Sequence, residues 1–198
     1  MTAGLLAAAV PGAMLLSAIW QENQLTRQWV QQVEGSSQHR DRPAVGDTAA
    51  RAPSTPGATG PASASAGATG IAFAIRVPRL GYFAAVRQGV SLDVLFDGPG
   101  HYPTTAMPGQ RGNVGIAAHN TYWIAFGSLV PGDAVILETR QGTFTYKIYG
   151  SSIVAPNNGT VLAPTTDHRL TLTTCWPLWA GALATRRLVF FAEQVSGS

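Results

Sequence analysis

The sequence predicts an all-β domain, a barrel or a sandwich of short strands, over residues 71–198. Three observations carry this. Short apolar runs of β type are punctuated by Gly, Pro, Asn and Asp. No long helical period follows residue 35. Apolar residues make up 45% of the 198, enough for a core, whereas charged residues are only 12%, about half the usual share.

Residues 3–20, AGLLAAAVPGAMLLSAIW, carry no charge. A run of this length is just enough to cross a bilayer as a helix, and Trp20 suits the interface. A secretory signal would want a basic n-region and a small-residue cleavage site, and neither is clear. The expectation is a single N-terminal membrane anchor. Residues 21–34, QENQLTRQWVQQVE, place Leu25, Trp29 and Val33 at helical spacing, a short polar helix continuing the anchor into water, so that 1–34 form one anchoring unit. Residues 35–70, rich in Gly, Ala, Pro and Ser, cannot bury a core and read as a disordered tether giving reach above a membrane.

At Ile71 the texture changes. IAFAIRVPRLGYFAAV alternates and then turns. GNVGIAAHN, DAVILETRQGTFTYKIYGSSIVA, RLTLTTC and RRLVFFAEQV are further strand-like runs. TRQGTF reads as a hairpin turn and PNNGT as a loop.

Residues 1–70 hold four Arg and four acidic residues, and residues 71–198 hold eight Arg, one Lys and six acidic residues. The whole net charge of +3 therefore lies on the β domain. The positives are scattered, which gives no nucleic-acid footprint. No acidic cluster resembles a calcium loop and the lone Cys has no companion ligands; neither metal nor cofactor is expected.

Cys175 is the only cysteine, so no internal disulfide can form. An unpaired thiol in an extracellular domain suggests a reactive group, although free Cys is also a common buried hydrophobe. A reactive thiol needs a base and a charge stabiliser. His119 closes a small-residue strand at a place where β folds display functional groups. His101 and His168 are weaker rivals and His39 lies in the tether. An oxyanion calls for a guanidinium. Neighbouring strand residues face opposite ways, so only one of Arg186 and Arg187 can share the face of Cys175. If Val189 and Phe191 point into the core, Arg187 is on their side.

TLTTC with Pro two residues on, a His ending GNVGIAAH and an Arg opening the last strand together resemble the sortases, cysteine transpeptidases of Gram-positive bacteria. VPRLG and FDGPGHYPTTAMPGQRGNVGIAAHN are similar to the class E type of Actinobacteria, and the likeness spans nearly all of 71–195. It implies a closed barrel of about eight strands with short helices and loops, behind a membrane helix and linker. It makes Cys175 the nucleophile, His119 the acid or base and Arg187 the positive stabiliser, with Arg186 as fallback. Thr174 would line the site and help hold the acyl oxygen, and Tyr102 would contact the sorting motif. The implied reaction cleaves the Thr–Gly bond of an LAxTG or LPxTG sorting signal on a secreted protein and joins it to a peptidoglycan-precursor amine. The implied location is the cell membrane, single-pass, with the catalytic domain outside. Two departures stand out: Ala118 and Asn120 flank the His where the family has Gly and Arg. The loop after Cys175 is also unusually apolar, its Trp176, Trp179 and Leu183 either covering the site or packing. Alternative readings are an L,D-transpeptidase-like wall enzyme and a non-catalytic, membrane-tethered binding barrel.

Overall fold

A computed structural model describes residues 20–35 and 70–197. The expected anchor run and linker lie outside these, except at their edges. Among the described residues no helix is long and apolar enough to cross a membrane.

The strands are β1 (Ile71–Val77), β2 (Tyr82–Gln88), β3 (Gly100–His101), β4 (Gly112–Ala118), β5 (Ala134–Glu138), β6 (Thr143–Val154), β7 (His168–Trp176) and β8 (Arg186–Gly197). They close as β1-β2-β3-β4-β7-β8-β6-β5, with β5 returning to β1. Closure leaves no sheet edge exposed. The eight-strand expectation holds, and TRQGTF is the β5–β6 turn, tied by the Thr139 N–H to the Gly142 carbonyl at 2.8 Å.

The core is built from alternate residues of each strand: Phe73, Ile75 and Val77 on β1, Leu170 and Leu172 on β7, Leu188, Phe190 and Ala192 on β8. Trp123 and Phe126 plug one end, both fully buried and stacked with ring centroids 4.4 Å apart. That plug follows His119 in sequence, so the core fixes the segment carrying that histidine.

β4 and β7 run parallel. Parallel strands are covered on both faces, and all seven residues of β4 are buried. The outer cover comes from the loops after β3 and β6. At Gly115 a Cβ would lie 2.9 Å from Leu162 and 3.0 Å from Tyr102, so glycine there lets both loops settle on the strand.

The helix over residues 20–35, α1, is where the structure departs from expectation. It does not extend into water but lies along the outside of β1 and β2. Trp29, 2% exposed, packs with Ile71, Ala74 and Ala85, flanked by Leu25 and Val33. Thr26 Oγ1 accepts the Ala85 N–H at 3.1 Å and the Tyr82 hydroxyl donates to Glu22 Oε1 at 2.5 Å. The apolar stripe read from the sequence is real, and its partner is the barrel.

The direction of α1 follows from these contacts. Strands β1, β4, β6 and β7 finish at the end where β2 and β8 begin. Call this the mouth; it holds Tyr82 and Cys175. Glu22 touches Tyr82 at the mouth, while Gln32 accepts from Arg140 in the β5–β6 turn at the opposite end. The described helix therefore runs from the mouth towards the base, where β1 starts.

Candidate active site

Pairing register alone assembles the predicted trio. β4 and β7 run parallel with Ala118 beside Thr174, so His119 continues alongside Cys175. β8 flanks the other side of β7, with Arg187 directly opposite Cys175. Adjacent strands lie about 4.8 Å apart and opposed side chains share a face. Cys175 thus sits between an imidazole and a guanidinium drawn from segments distant in sequence. It is half-buried, as are His119 and Arg187, whereas Arg186 is exposed.

Arg187 takes the expected place through a different geometry. The core residues of β8 are Leu188, Phe190 and Ala192. Val189 and Arg187 lie on the outer face, and Val189 is nevertheless fully buried because the loop after β6 covers it. Cys175 lies on that outer face too, in phase with Thr171 and Thr173.

The same alternation corrects Thr174. It is 2% exposed and opposite Leu188, beside Ala118, both core residues. Its side chain faces the barrel interior, away from the thiol, and among the described residues its Oγ1 has no hydrogen-bond partner. Thr173 occupies the position expected of Thr174. It lines a cleft of about 230 Å³ with Tyr102, Val154, Val161, Leu162, Arg187 and Val189. Tyr102 lines this cleft too, its hydroxyl 3.0 Å from Thr173 Oγ1.

His119 is held by its neighbours. Its carbonyl accepts the N–H groups of Tyr122 and Trp123, which lead into the aromatic plug. Burial, then the charge of Arg187, keeps its pKa below the ordinary histidine value. Both effects disfavour the imidazolium. Asn120, 2% exposed, donates to the carbonyls of Pro177 and Gly181, each at 3.3 Å. The residue that departs from the family pattern thus pins the β7–β8 loop to the histidine segment.

The remaining histidines separate cleanly. His101 is 1% exposed, bonded to Gln88, Thr105 and the Ala106 carbonyl, and its pKa is lowered by burial; it braces the Tyr102 loop. His168 starts β7 at the base, about 23 Å of strand from the thiol. His39 lies outside the described residues.

Sequence reading missed Asn113. It is buried, accepts from Thr171 Oγ1 at 2.9 Å and donates to the Val161 carbonyl at 3.1 Å. It fastens the wall of the cleft to β4. The signal was a lone amide within the apolar run GNVGIAA. At the end of β7, Trp176 packs on the core, whereas Trp179 and Leu183 of the β7–β8 loop are each 82% exposed, so these two do not pack.

The Sortase domain profile matches residues 75–195. Sortase D of Bacillus subtilis (strain 168) is 28% identical, the match covering 62% of this chain and 63% of that protein. Sortase SrtE1 of Streptomyces coelicolor is 33% identical over 52% of this chain and 35% of that protein. The chain thus spans less than two thirds of either curated relative. The structure of sortase E from Streptomyces avermitilis superposes with a TM-score of 0.58 at 31% identity, covering 65% of this chain and 90% of that one.

Proposed function

The chain belongs to the sortase family, with class E-like character, and from that premise we propose that it is a cysteine transpeptidase acting on a C-terminal sorting signal of LAxTG or LPxTG type. The observation that carries the reading is the placement of Cys175 between His119 and Arg187 at the end of a cleft.

The sorting peptide lies along the cleft, against Tyr102, Thr173 and the wall fastened by Asn113. The Cys175 thiolate attacks the Thr carbonyl carbon. Arg187 receives the developing oxyanion, a charge that a guanidinium meets without titrating. The C–N bond breaks as protonated His119 gives its proton to the departing amine, leaving a thioester. A peptidoglycan-precursor amine then attacks the thioester, the C–S bond breaks, and neutral His119 takes the amine's proton. Burial and Arg187 both disfavour the imidazolium that the first step needs. The pH–rate profile is accordingly bell-shaped. The uncharged run 3–20 anchors the protein in the cell membrane with the barrel outside.

The test is to incubate the full chain with LAxTG and LPxTG peptides and weigh the protein. A thioester adduct that disappears in Cys175→Ala supports the reading. No adduct with any sorting peptide, or an adduct that survives the substitution, sinks it.

A further inference from the structure

The two ends of the barrel differ in a way catalysis does not require. Around the mouth stand large apolar side chains in solvent: Trp179 and Leu183 at 82% exposure, Trp20 at 63%, Ile124 at 60% and Val130 at 53%. They come from three separate segments, so no local sequence bias explains them. Leu92 at 78% and Val195 at 52% stand apart from this group; scattered exposed apolar residues are ordinary, whereas five gathered around one end form a contact surface.

Charge follows the same division. The mouth loops, residues 119–132, 155–166 and 177–185, contain no Asp or Glu. The carboxylates nearest the mouth are engaged: Asp133 with Arg79, Asp97 with Arg87, and Glu22 with Tyr82. Arg186 is exposed there, and among the described residues it has no ion pair. The base mixes both signs: Glu138 and Asp167 are paired with Arg76 and Arg169, and Glu34 and Glu193 share that end with Arg111 and Arg140.

The third observation is continuity. Trp20, the first described residue of α1, lies at the mouth, and the sequence N-terminal to it is the uncharged run 3–19. A segment suited to lipid therefore joins the barrel at the same end as the apolar rim.

We propose that the mouth rests on the bilayer surface, with Trp179 and Leu183 of the β7–β8 loop inserted into the interface of a membrane containing anionic phospholipid. Trp and Leu suit that depth, and an acid-free rim with an exposed Arg suits a negative headgroup layer. Cys175, two residues before this loop's Pro177, then works at headgroup level, and the cleft opens along the membrane rather than into bulk solvent. The inference rests on the proposed N-terminal anchor.

The experiment reconstitutes the full chain in phosphatidylcholine/phosphatidylglycerol vesicles with or without brominated acyl chains, and reads quenching of tryptophan fluorescence. Wild type, Trp20→Phe, Trp179→Phe and the double variant are compared; both side chains are exposed, so the fold should survive, as circular dichroism verifies. Support is quenching that persists in Trp20→Phe and is largely lost in the double variant, with a further decrease in Arg186→Gln that salt reproduces in the wild type. Quenching lost in Trp20→Phe alone, with Trp179→Phe like wild type, keeps the anchor and overturns the interfacial mouth. Failure of the protein to float with vesicles overturns both. Trp179 shielded from bromolipid and from aqueous acrylamide, in a protein of dimer size, overturns the proposal in favour of a second copy on the rim.

Discussion

The two faces of β7 do different work with alternate residues of one strand. Leu170, Leu172 and Thr174 face inward, all 2% exposed or less, into a core filled from every strand. Thr171, Thr173 and Cys175 face outward, where each has a specific partner: Asn113, Tyr102 and the opposed Arg187. The inner face supplies stability that many residues share. The outer face supplies a geometry no other residue duplicates. Damage to the first should appear in unfolding, and damage to the second in turnover.

The sharpest break is Cys175→Ala. Transfer and the thioester should vanish while the melting temperature stays near wild type. A large loss of stability instead would show that Cys175 belongs to the core. Next is Arg187→Gln, expected to lower kcat/KM by about 10²–10³ while Arg186→Gln leaves it within a few-fold. NMR titration should also show the His119 pKa rising in Arg187→Gln, because a repelling positive charge is gone.

On the inner face, Leu172→Ala should cost about 2–5 kcal/mol of stability by denaturant unfolding, with kcat intact well below the midpoint. A smaller effect concerns α1. Burial pushes the Glu22 carboxyl up to about 7, against a partial lowering by Tyr82. The folded state then holds a proton that the unfolded chain releases near 4.5. Stability is greatest below that value and falls as pH rises towards 7, by on the order of 2 kcal/mol. Glu22→Gln should flatten this slope, read as hydrogen exchange in α1 at pH 5 and 8. The smallest effect is Thr173→Val, which removes the Tyr102 hydrogen bond and should cost about 1 kcal/mol, seen as a higher KM with kcat unchanged.

The strands, the 139–142 turn and the pairing of Cys175 with His119 and Arg187 were legible because each leaves a local mark: alternation, turn residues, or a lone thiol with a strand-end histidine. The face of Arg187 was not. β8 is apolar on both sides, since Leu188, Val189 and Phe190 are all buried, and composition cannot tell a core face from one covered by a loop. Adjacency to the cysteine points to Thr174, but the two-residue period of the strand puts Thr173 on the face of Cys175. For α1 the stripe Leu25–Trp29–Val33 was visible, but a sequence shows that a helix has an apolar face without showing what it docks on.

The docking of α1 gives the described chain a second tie between its two ends. Trp29 is clasped by Ile71, Ala74 and Ala85, Glu22 reaches Tyr82 at the mouth and Gln32 reaches Arg140 at the base. The helix is therefore a splint across β1 and β2, and strain applied at either end of it is carried by that one indole. Trp29→Ala should loosen the splint as a unit, so that exchange of the amides of α1, β1 and β2 quickens together.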